Sequence, residues 1–240
     1  MSHIENQDDL RRQVVQVCRL LYDKNMLYAS DGNVSVRWGE ELLITTPSGV
    51  LKGLLEPEEL VVTDLDGQMV DEFNADNGLV PSAELRLHLE AYRRRPDIRA
   101  VVHAHPPITT ALTVAGVSLA PCVVPETLVT LGQIATTAYA TPSSEQGPQV
   151  IHDLIPDHDA LVLDRHGAVT VGPTALKAYM RMEKIENTAQ VIQIALTLGR
   201  LKTLPVDEII KLSAIRDAML GPERVFAGPN CEICGACAGW

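Results

Sequence analysis

Apolar and polar positions alternate with two different periods along the chain, and these periods predict a mixture of helices and strands. Helical spacing first appears over residues 8–25, where Val14 and Leu21 fall on one face and Asp8 or Asp9 is the expected N-cap. The same spacing predicts further helices over residues 82–95, 107–115, 174–200 and 206–219, and one more that begins near Ser144.

Strands are predicted where the period is two, or where a short apolar run is bounded by turn residues. They cover residues 34–37, 42–46, 60–67 and 98–105 and a hairpin over 160–172, while short strands and turns are expected in 117–140. Strands and helices mix without strict βαβ repetition. The prediction is therefore one α/β domain in three layers (α/β/α), with a central, mostly antiparallel sheet flanked by helices.

We assign this domain to residues 1–225 and a Gly- and Cys-rich C-terminal tail to residues 226–240. Cys231, Cys234 and Cys237 lie in the tail, with two residues between each cysteine and the next. This spacing suits a metal or a cluster, but a fourth ligand is not evident, and the alternative is a flexible tail or one packed on a neighbouring subunit. The odd total of five cysteines does not fit a secreted disulfide framework.

Composition excludes several classes of function. A formal net charge of -11 argues against nucleic acid as a partner, because phosphate backbones require basic patches. The N-terminal segment MSHIENQDDLRR is polar and lacks the apolar part of a signal peptide. No apolar run approaches the about 18 residues of a membrane span. We therefore expect a cytoplasmic protein with no membrane partner.

Three histidines are the first candidates for chemistry. His103 and His105 lie at i and i+2 of a predicted strand, so their imidazoles share one face and can reach one metal ion. Two ordinary polar histidines are the alternative, although burying both without partners is costly. His166 lies in the turn of the predicted hairpin, where a plain turn residue is the alternative. Three histidine ligands leave the open coordination position that a catalytic zinc needs.

Glu84 follows Ser82, the expected N-cap of the helix over 82–95. The helix dipole favours a carboxylate in the first turn, and the same position can direct it into a cleft as a general base or a fourth ligand. His88 lies one turn later on the same face. It either supports Glu84 or lies at the surface, and we do not count it as a ligand.

Three loops combine exposed backbone N–H groups with small hydroxyl or amide side chains, a pattern that can hold a phosphate. Turns use the same residue types, so each loop alone is a weak signal. The candidate residues are Gly32 and Asn33, Ser48 and Gly49, and Ser82.

Basic residues receive a structural interpretation. Lys52, Lys177 and Lys184 are read as surface or helix residues. The run of arginines at 93–95 ends a predicted helix and complements its dipole, with phosphate binding or a subunit contact as the alternative.

Six segments, in order along residues 8–200, resemble the class II aldolase/adducin family. They are SDGNVSVR (30–37), TPSGV (46–50), PSAELRLH (81–88), AVVHAHPP (100–107), AYATPSSEQ (138–146) and RHGAVTVG (165–172). The resemblance implies a class II aldolase-like fold, with His103, His105 and His166 as metal ligands. It implies that Glu84 binds the metal in the empty enzyme and acts as acid/base in turnover. The three loops named above would hold the substrate phosphate, in a homotetramer with active sites between subunits.

The resemblance also implies a reaction. One divalent metal per subunit, zinc by preference and otherwise manganese or cobalt, would act as a Lewis acid. A ketose 1-phosphate of the fuculose, 5-deoxyribulose or methylthioribulose type would be cleaved to dihydroxyacetone phosphate and an aldehyde through an enediolate. A dehydratase, 4-epimerase or decarboxylase on the same scaffold is the alternative. A non-catalytic, adducin-like module is a further one, and the retained candidate ligands argue against it.

Two positions depart from the family pattern. The family often has Ser-Ser-Glu where this chain has Ser-Ala-Glu, so Ala83 removes one hydroxyl donor. The family also places a subunit-bridging tyrosine near residue 125, and here the nearest titratable group is Glu126. We predict Glu126 as a second acid/base, with a solvated turn glutamate as the alternative. The presence of Glu84 favours an aldolase over the dehydratase and epimerase branches.

Overall fold

The computed structural model describes residues 6–70 and 72–220, and within them seven strands form one sheet. The strands are β1 (Asn33–Trp38), β2 (Leu42–Thr45), β3 (Val61–Asp64), β4 (Ala100–Ala104), β5 (Ala135–Thr136), β6 (Ala160–Leu163) and β7 (Gly167–Gly172). Their order across the sheet is β3-β2-β1-β4-β7-β6-β5. Neighbours are antiparallel except β5 and β6, which are parallel. The predicted mostly antiparallel sheet is confirmed.

The described residues also contain eight α-helices and two short 3₁₀ helices. The α-helices are α1 (Gln7–Asp23), α2 (Glu72–Asp76), α3 (Leu85–Arg94), α4 (Pro107–Val114), α5 (Pro125–Thr130), α6 (Gln146–His152), α7 (Ala175–Thr197) and α8 (Val206–Leu220). The 3₁₀ helices are Lys52–Leu54 and Pro57–Glu59. In the described part of the chain, no helix is both long and apolar enough to cross a membrane.

Helices cover both faces of the sheet, which gives the predicted three layers. Apolar side chains of α1, α4 and α7 form one buried cluster with one face of the strands. Those of α3 and α6 form a second buried cluster against the opposite face. Strand β1 shows how the two faces differ, because Val34 and Val36 join the first cluster while Ser35 faces α3 and contacts His88. The polar positions of β1 thus point to the α3 side of the sheet.

Two predicted helix starts are wrong. The N-cap of α1 is Asn6, whose side chain accepts a hydrogen bond from the backbone N–H of Asp8, and is neither of the predicted aspartates. The helix after Ser82 begins at Leu85, and Glu84 occupies the N-cap position. Ser82 lies two residues before the N-cap, where its hydroxyl oxygen accepts hydrogen bonds from Asn33 Nδ2 and from the N–H of Glu84, and its carbonyl closes a turn with the N–H of Leu85.

The sequence predicts short strands and turns in the segment 117–140, which agrees with the two-residue strand β5 but misses the helix α5. Pro125 occupies the first turn of α5, where its fixed φ suits a helix and its missing N–H breaks no hydrogen bond. A helix of six residues is too short to show a helical period in the sequence.

Two interpretations of basic residues are also corrected. The sequence predicts Lys52 as a surface or helix residue, and the surface alternative is wrong, because Lys52 begins a 3₁₀ helix and is 1% exposed. Arg95 follows α3 and is buried, where it forms ion pairs with Asp97 at 2.7 Å and Asp159 at 3.0 Å. Both errors have the same cause: the partners of these residues are distant in sequence, and a local pattern does not show them. The predicted tail at 226–240, with Cys231, Cys234 and Cys237, lies outside the described residues.

Candidate metal centre and active site

Four side chains converge at the α3 side of the sheet, and they are the predicted ligands Glu84, His103, His105 and His166. One candidate ligand atom from each lies within 4.8 Å of the others. The Nε2 atoms of His103 and His105 are 3.1 Å apart. The carboxylate of Glu84 lies 3.0 Å from His103 Nε2 and 3.3 Å from His166 Nε2. The fold thus brings together four side chains that are as much as 82 positions apart in the sequence.

Strand β4 and the residue that follows it position two of these candidate ligands. Its residue His103 pairs with Asn33 of β1 and Val169 of β7, so it lies at the centre of the sheet and is fully buried. The Nδ1–H of His103 donates to the carbonyl oxygen of Ala168 at 2.9 Å. This hydrogen bond assigns the ring tautomer and leaves the Nε2 lone pair directed at the other ligands. His105 lies two residues further on the same face, as the strand period predicts.

The turn between β6 and β7 positions the third histidine. The N–H of His166 donates to the carbonyl of Leu163, and Arg165 adopts a left-handed conformation with φ 56°. Gly167 follows, and a Cβ there would lie 2.3 Å from the carbonyl oxygen of Ala104 and 3.0 Å from the ring of His105. Only glycine allows the turn to approach β4 closely enough to bring the third imidazole to the other two.

The donor set fits a divalent metal such as zinc. Three imidazole nitrogens and one carboxylate are ordinary zinc ligands, and bonds of about 2.0–2.1 Å in a tetrahedron separate neighbouring ligand atoms by about 3.3 Å. The separations of 3.0–3.3 Å quoted above match that spacing. Burial lowers the pKa of His105 to about 3, which keeps its imidazole neutral and able to bind an ion.

The ionised state of Glu84 results from its histidine contacts. Burial alone would raise the pKa of its carboxyl group. Contacts with the rings of His103 and His166 outweigh burial and hold the pKa well below its ordinary value. The carboxylate is therefore charged near neutral pH and can bind a metal or accept a proton.

The predicted phosphate loops lie side by side next to this centre. Asn33 Nδ2 donates to Ser82 Oγ at 2.8 Å, and the buried Oδ1 of Asn33 has no hydrogen-bond partner among the described residues. Pro47 and Pro81 form an isolated bridge, and the N–H of Ser48 donates to Val80 at 2.8 Å. The backbone N–H of Ser48 is thus already engaged, and its hydroxyl is the group left for a ligand.

Two glycines give these loops their shape. Gly32 has φ 69°, and a Cβ there would lie 2.8 Å from the carbonyl oxygen of His103. Gly49 has φ 72°, and a Cβ there would meet no atom within 4 Å. Gly32 is therefore required by close packing on β4, whereas the space beside Gly49 is open to a ligand. We define the loops 30–33, 48–50 and 80–82 together as the cradle.

His88 lies beneath the centre and is not one of the four converging residues. It is fully buried, so the alternative of a surface histidine is wrong. Its Nδ1 lies 2.7 Å from Ser35 Oγ, which in turn lies 3.0 Å from the hydroxyl of Tyr92. Burial lowers the pKa of His88 to about 3, so this side chain is neutral in the folded protein.

Two carboxylates that support the centre were missed from the sequence. Asp31 Oδ2 lies 3.7 Å from Nδ1 of His105, on the ring nitrogen opposite the ligand atom. Glu186 of α7 accepts hydrogen bonds from the backbone N–H groups of Ile108 and Thr109, both at 2.9 Å, at the start of α4. Because α4 begins two residues after His105, Glu186 holds the segment that carries this candidate ligand. The position of Asp31 beside the 32–33 loop was a local signal, whereas Glu186 gave none.

Comparison with known proteins identifies the family. Residues 12–193 match the family model described as the Class II Aldolase and Adducin N-terminal domain. The chain belongs to this family. It is 31% identical over 189 residues to an L-fuculose phosphate aldolase of Methanococcus vannielii, which covers 79% of this chain and 98% of the relative.

Further relatives of this class II aldolase-family chain differ in activity. A 3-oxo-tetronate 4-phosphate decarboxylase of Escherichia coli is 29% identical over 192 residues, covering 78% of this chain and 88% of the relative. The crystal structure of YgbL from Escherichia coli, assigned as an aldolase/epimerase/decarboxylase, superposes with a TM-score of 0.78 at 28% identity. The superposition covers 86% of this chain and 99% of the YgbL chain. The chain is thus a metal-dependent lyase of the class II aldolase family, which acts on sugar phosphates with a divalent metal.

The remaining predicted site residue of this aldolase-family chain is Glu126. It lies in the first turn of α5, is exposed, and is not among the side chains that converge on the metal centre. A cavity opens instead beside Glu84 and His166, between α3 and the loop that precedes α6. Its wall includes Leu87 and Pro142, so it offers apolar surface next to the centre.

Proposed function

We propose that the protein is a divalent-metal-dependent aldolase that cleaves a ketose 1-phosphate to dihydroxyacetone phosphate and an aldehyde. The observation that carries the proposal is the position of Glu84, whose carboxylate contacts two of the three histidines. A carboxylate there would complete the donor set for a metal and could exchange a proton with a bound substrate. The relatives named as L-fuculose phosphate aldolases support this choice.

We assign the roles as follows. His103, His105, His166 and Glu84 hold one divalent ion, for which zinc suits the donor set and manganese or cobalt are alternatives. That ion supplies Lewis-acid polarisation of the substrate carbonyl. Asn33, Ser48, Gly49 and Ser82 of the cradle, with Gly32 shaping its first loop, bind the phosphate. Glu84, once it has taken up a proton from solvent, delivers that proton to C3 after the C3–C4 bond breaks.

A second acid/base is needed at the C4 hydroxyl, whose proton must leave as the bond breaks. We propose Glu126 for this role, from a neighbouring subunit of a homotetramer, because it is exposed and outside its own chain's centre. Exposed apolar side chains along the end of α7 and on α8, such as Leu198 and Met219, support contacts between subunits. The molar mass in solution, measured by light scattering, tests this assembly.

A decarboxylase is the second candidate function, since a 3-oxo-tetronate 4-phosphate decarboxylase is among the relatives. Loss of carbon dioxide from a 3-oxo acid phosphate needs the same polarised carbonyl and the same protonation by Glu84. The two candidates differ in the bond that breaks, so the substrate decides between them.

The test is a paired assay of the metal-loaded protein. Ketose 1-phosphates of the fuculose, 5-deoxyribulose and methylthioribulose types are supplied, and dihydroxyacetone phosphate is detected by coupled oxidation of NADH. In parallel, carbon dioxide release is measured from a 3-oxo-tetronate 4-phosphate. Aldolase activity that stops with chelator and returns with zinc, manganese or cobalt supports the proposal. Carbon dioxide release without dihydroxyacetone phosphate from any ketose replaces it with the decarboxylase.

A further inference from the structure

A buried lysine lies under the cradle and is not used by the roles assigned above. Lys52 is 1% exposed, and its ammonium group donates a hydrogen bond to the backbone carbonyl of Ser30. The carbonyl oxygen of Val50 lies 3.5 Å from the same nitrogen. Ser30 belongs to the first cradle loop and Val50 to the second. One cation is therefore held by backbone groups of both loops.

Carbonyl oxygens orient this ammonium but do not neutralise its charge. Among the described residues, its hydrogen bonds go to these two neutral oxygens and no carboxylate forms an ion pair with it. Burial lowers the pKa of Lys52, and the nearby charges that oppose this effect include Asp31 and Glu84. A buried charge in this situation is stabilised further by an anion that binds close by.

The cradle has no other cation of its own. Its proposed phosphate-binding residues, Asn33, Ser48, Gly49 and Ser82, are all neutral, and Ala83 lacks the hydroxyl that the family often has there. A phosphate dianion that is held only by neutral donors gains little electrostatic stabilisation from the protein. Lys52 contacts two of the three loops and can supply the missing positive charge.

We propose that Lys52 is a specificity-determining residue for the phosphate end of the substrate. It joins the 30–33 and 48–50 loops through their carbonyls and supplies the positive charge that the cradle otherwise lacks. The inference rests on the proposed function, because it takes a phosphate as the group bound there. At an effective dielectric of about 20, one charge several ångström from a phosphate changes its affinity by about 10- to 100-fold.

The test compares full-length Lys52→Met with Lys52→Arg, which keeps the charge, and with Lys177→Met as a control. Lys177 is an exposed lysine on α7. Binding of inorganic phosphate to the metal-loaded protein is measured by titration calorimetry, and KM and kcat are measured with the ketose 1-phosphate. Lys52→Met is expected to weaken phosphate binding and raise KM by about 10- to 100-fold. Its kcat and its one ion per chain should change little, while Lys52→Arg recovers most of the binding and Lys177→Met resembles the wild type.

A merely structural role gives a different pattern. If Lys52 only holds the loops, Lys52→Met lowers kcat/KM equally for the ketose 1-phosphate and for the unphosphorylated ketose, and that result overturns the proposal. If Lys52→Met binds phosphate as tightly as Lys177→Met does, that result also overturns the proposal. The calorimetry needs no turnover, so a loss of binding confined to Lys52→Met upholds the inference even if the protein is not an aldolase.

If the Lys52 variants do not fold, the thermal midpoint of the wild-type protein can be measured instead. Inorganic phosphate in the millimolar range should raise the thermal midpoint of the wild-type protein, because a ligand that binds only the folded state stabilises it. Chloride at equal ionic strength should not. The absence of any difference between the two salts overturns the proposal without use of a variant.

Discussion

Removal of the Glu186 carboxylate should destabilise the protein far more than removal of a neighbouring carboxylate on the same helix. One carboxylate oxygen of Glu186 accepts the N–H of Ile108, and the other accepts both the N–H and the hydroxyl of Thr109, at 2.7–2.9 Å. Thr109 is fully buried. In Glu186→Ala, these donors lose their acceptor at the start of α4.

The magnitude follows from the number of donors. A buried donor left without a partner costs about 1–3 kcal/mol, and partial hydration of the half-buried Ile108 reduces the sum below three full penalties. We therefore expect Glu186→Ala to lower the free energy of unfolding by about 3–5 kcal/mol. Glu186→Gln keeps one acceptor oxygen and loses the charge that favours a helix N-terminus, so we expect a loss of about 1–3 kcal/mol.

Glu183 provides the matched control. It lies one turn earlier on α7, its side chain is 42% exposed, and its ion pair with Lys24 is 3.3 Å long. Exposed pairs contribute about 0–1 kcal/mol, so Glu183→Gln should change little. Urea unfolding of the metal-free proteins at one fixed protein concentration gives the comparison. A loss in Glu186→Ala no larger than that in Glu183→Gln would falsify the assigned role of this carboxylate.

Three further predictions concern the centre itself. His105→Ala should reduce bound metal well below one ion per chain in elemental analysis, whereas alanine at the exposed His152 should keep it; full occupancy in the first variant would contradict the ligand assignment. Glu84→Gln should retain metal and lower kcat by about 10²–10⁴-fold, because an amide cannot take up the proton, and near-normal turnover would move the role to another group such as Glu126. His88 has its pKa lowered to about 3 from 6.5, so between these values the unfolded chain binds a proton that the folded chain does not. Its contribution to stability is complete above pH 6.5 and falls as the pH drops, by about 1.4 kcal/mol per pH unit, and His88→Gln should show a shallower pH dependence in urea unfolding.

Local sequence patterns predicted the elements that carry the candidate ligands. The period of two in the strand predicted over 98–105 was sufficient to put His103 and His105 on one face, although β4 itself ends at Ala104. The predicted hairpin over 160–172 likewise put His166 in a turn, and in the structure His166 lies in the turn between β6 and β7. Convergence of these segments with Glu84 came from the family resemblance, since strand order cannot be read from the local pattern of a single chain.

Contacts between distant segments could not be predicted. Glu186 lies 77 positions from Thr109 and has the same local sequence character as the exposed glutamate one turn earlier. Lys52 begins a short 3₁₀ helix, and only the packing of this segment on the residues before β1 reveals its burial. Charged residues are mostly exposed, so a pattern-based prediction assigns both to the surface.

The proposed aldol cleavage and the proposed homotetramer are connected, because the cleavage needs a second acid/base group. Cleavage of the C3–C4 bond requires one proton to leave the C4 hydroxyl and another to reach C3. Glu84 is the one carboxylate among the four converging side chains in the described part of the chain, and it also contacts two of the histidines. A second acid/base must therefore come from outside this group, and Glu126 is exposed on α5. If Glu126 serves this role in the site of a neighbouring subunit, Glu126→Gln should lower aldol cleavage while metal content and phosphate binding remain unchanged, because both depend on residues within one chain.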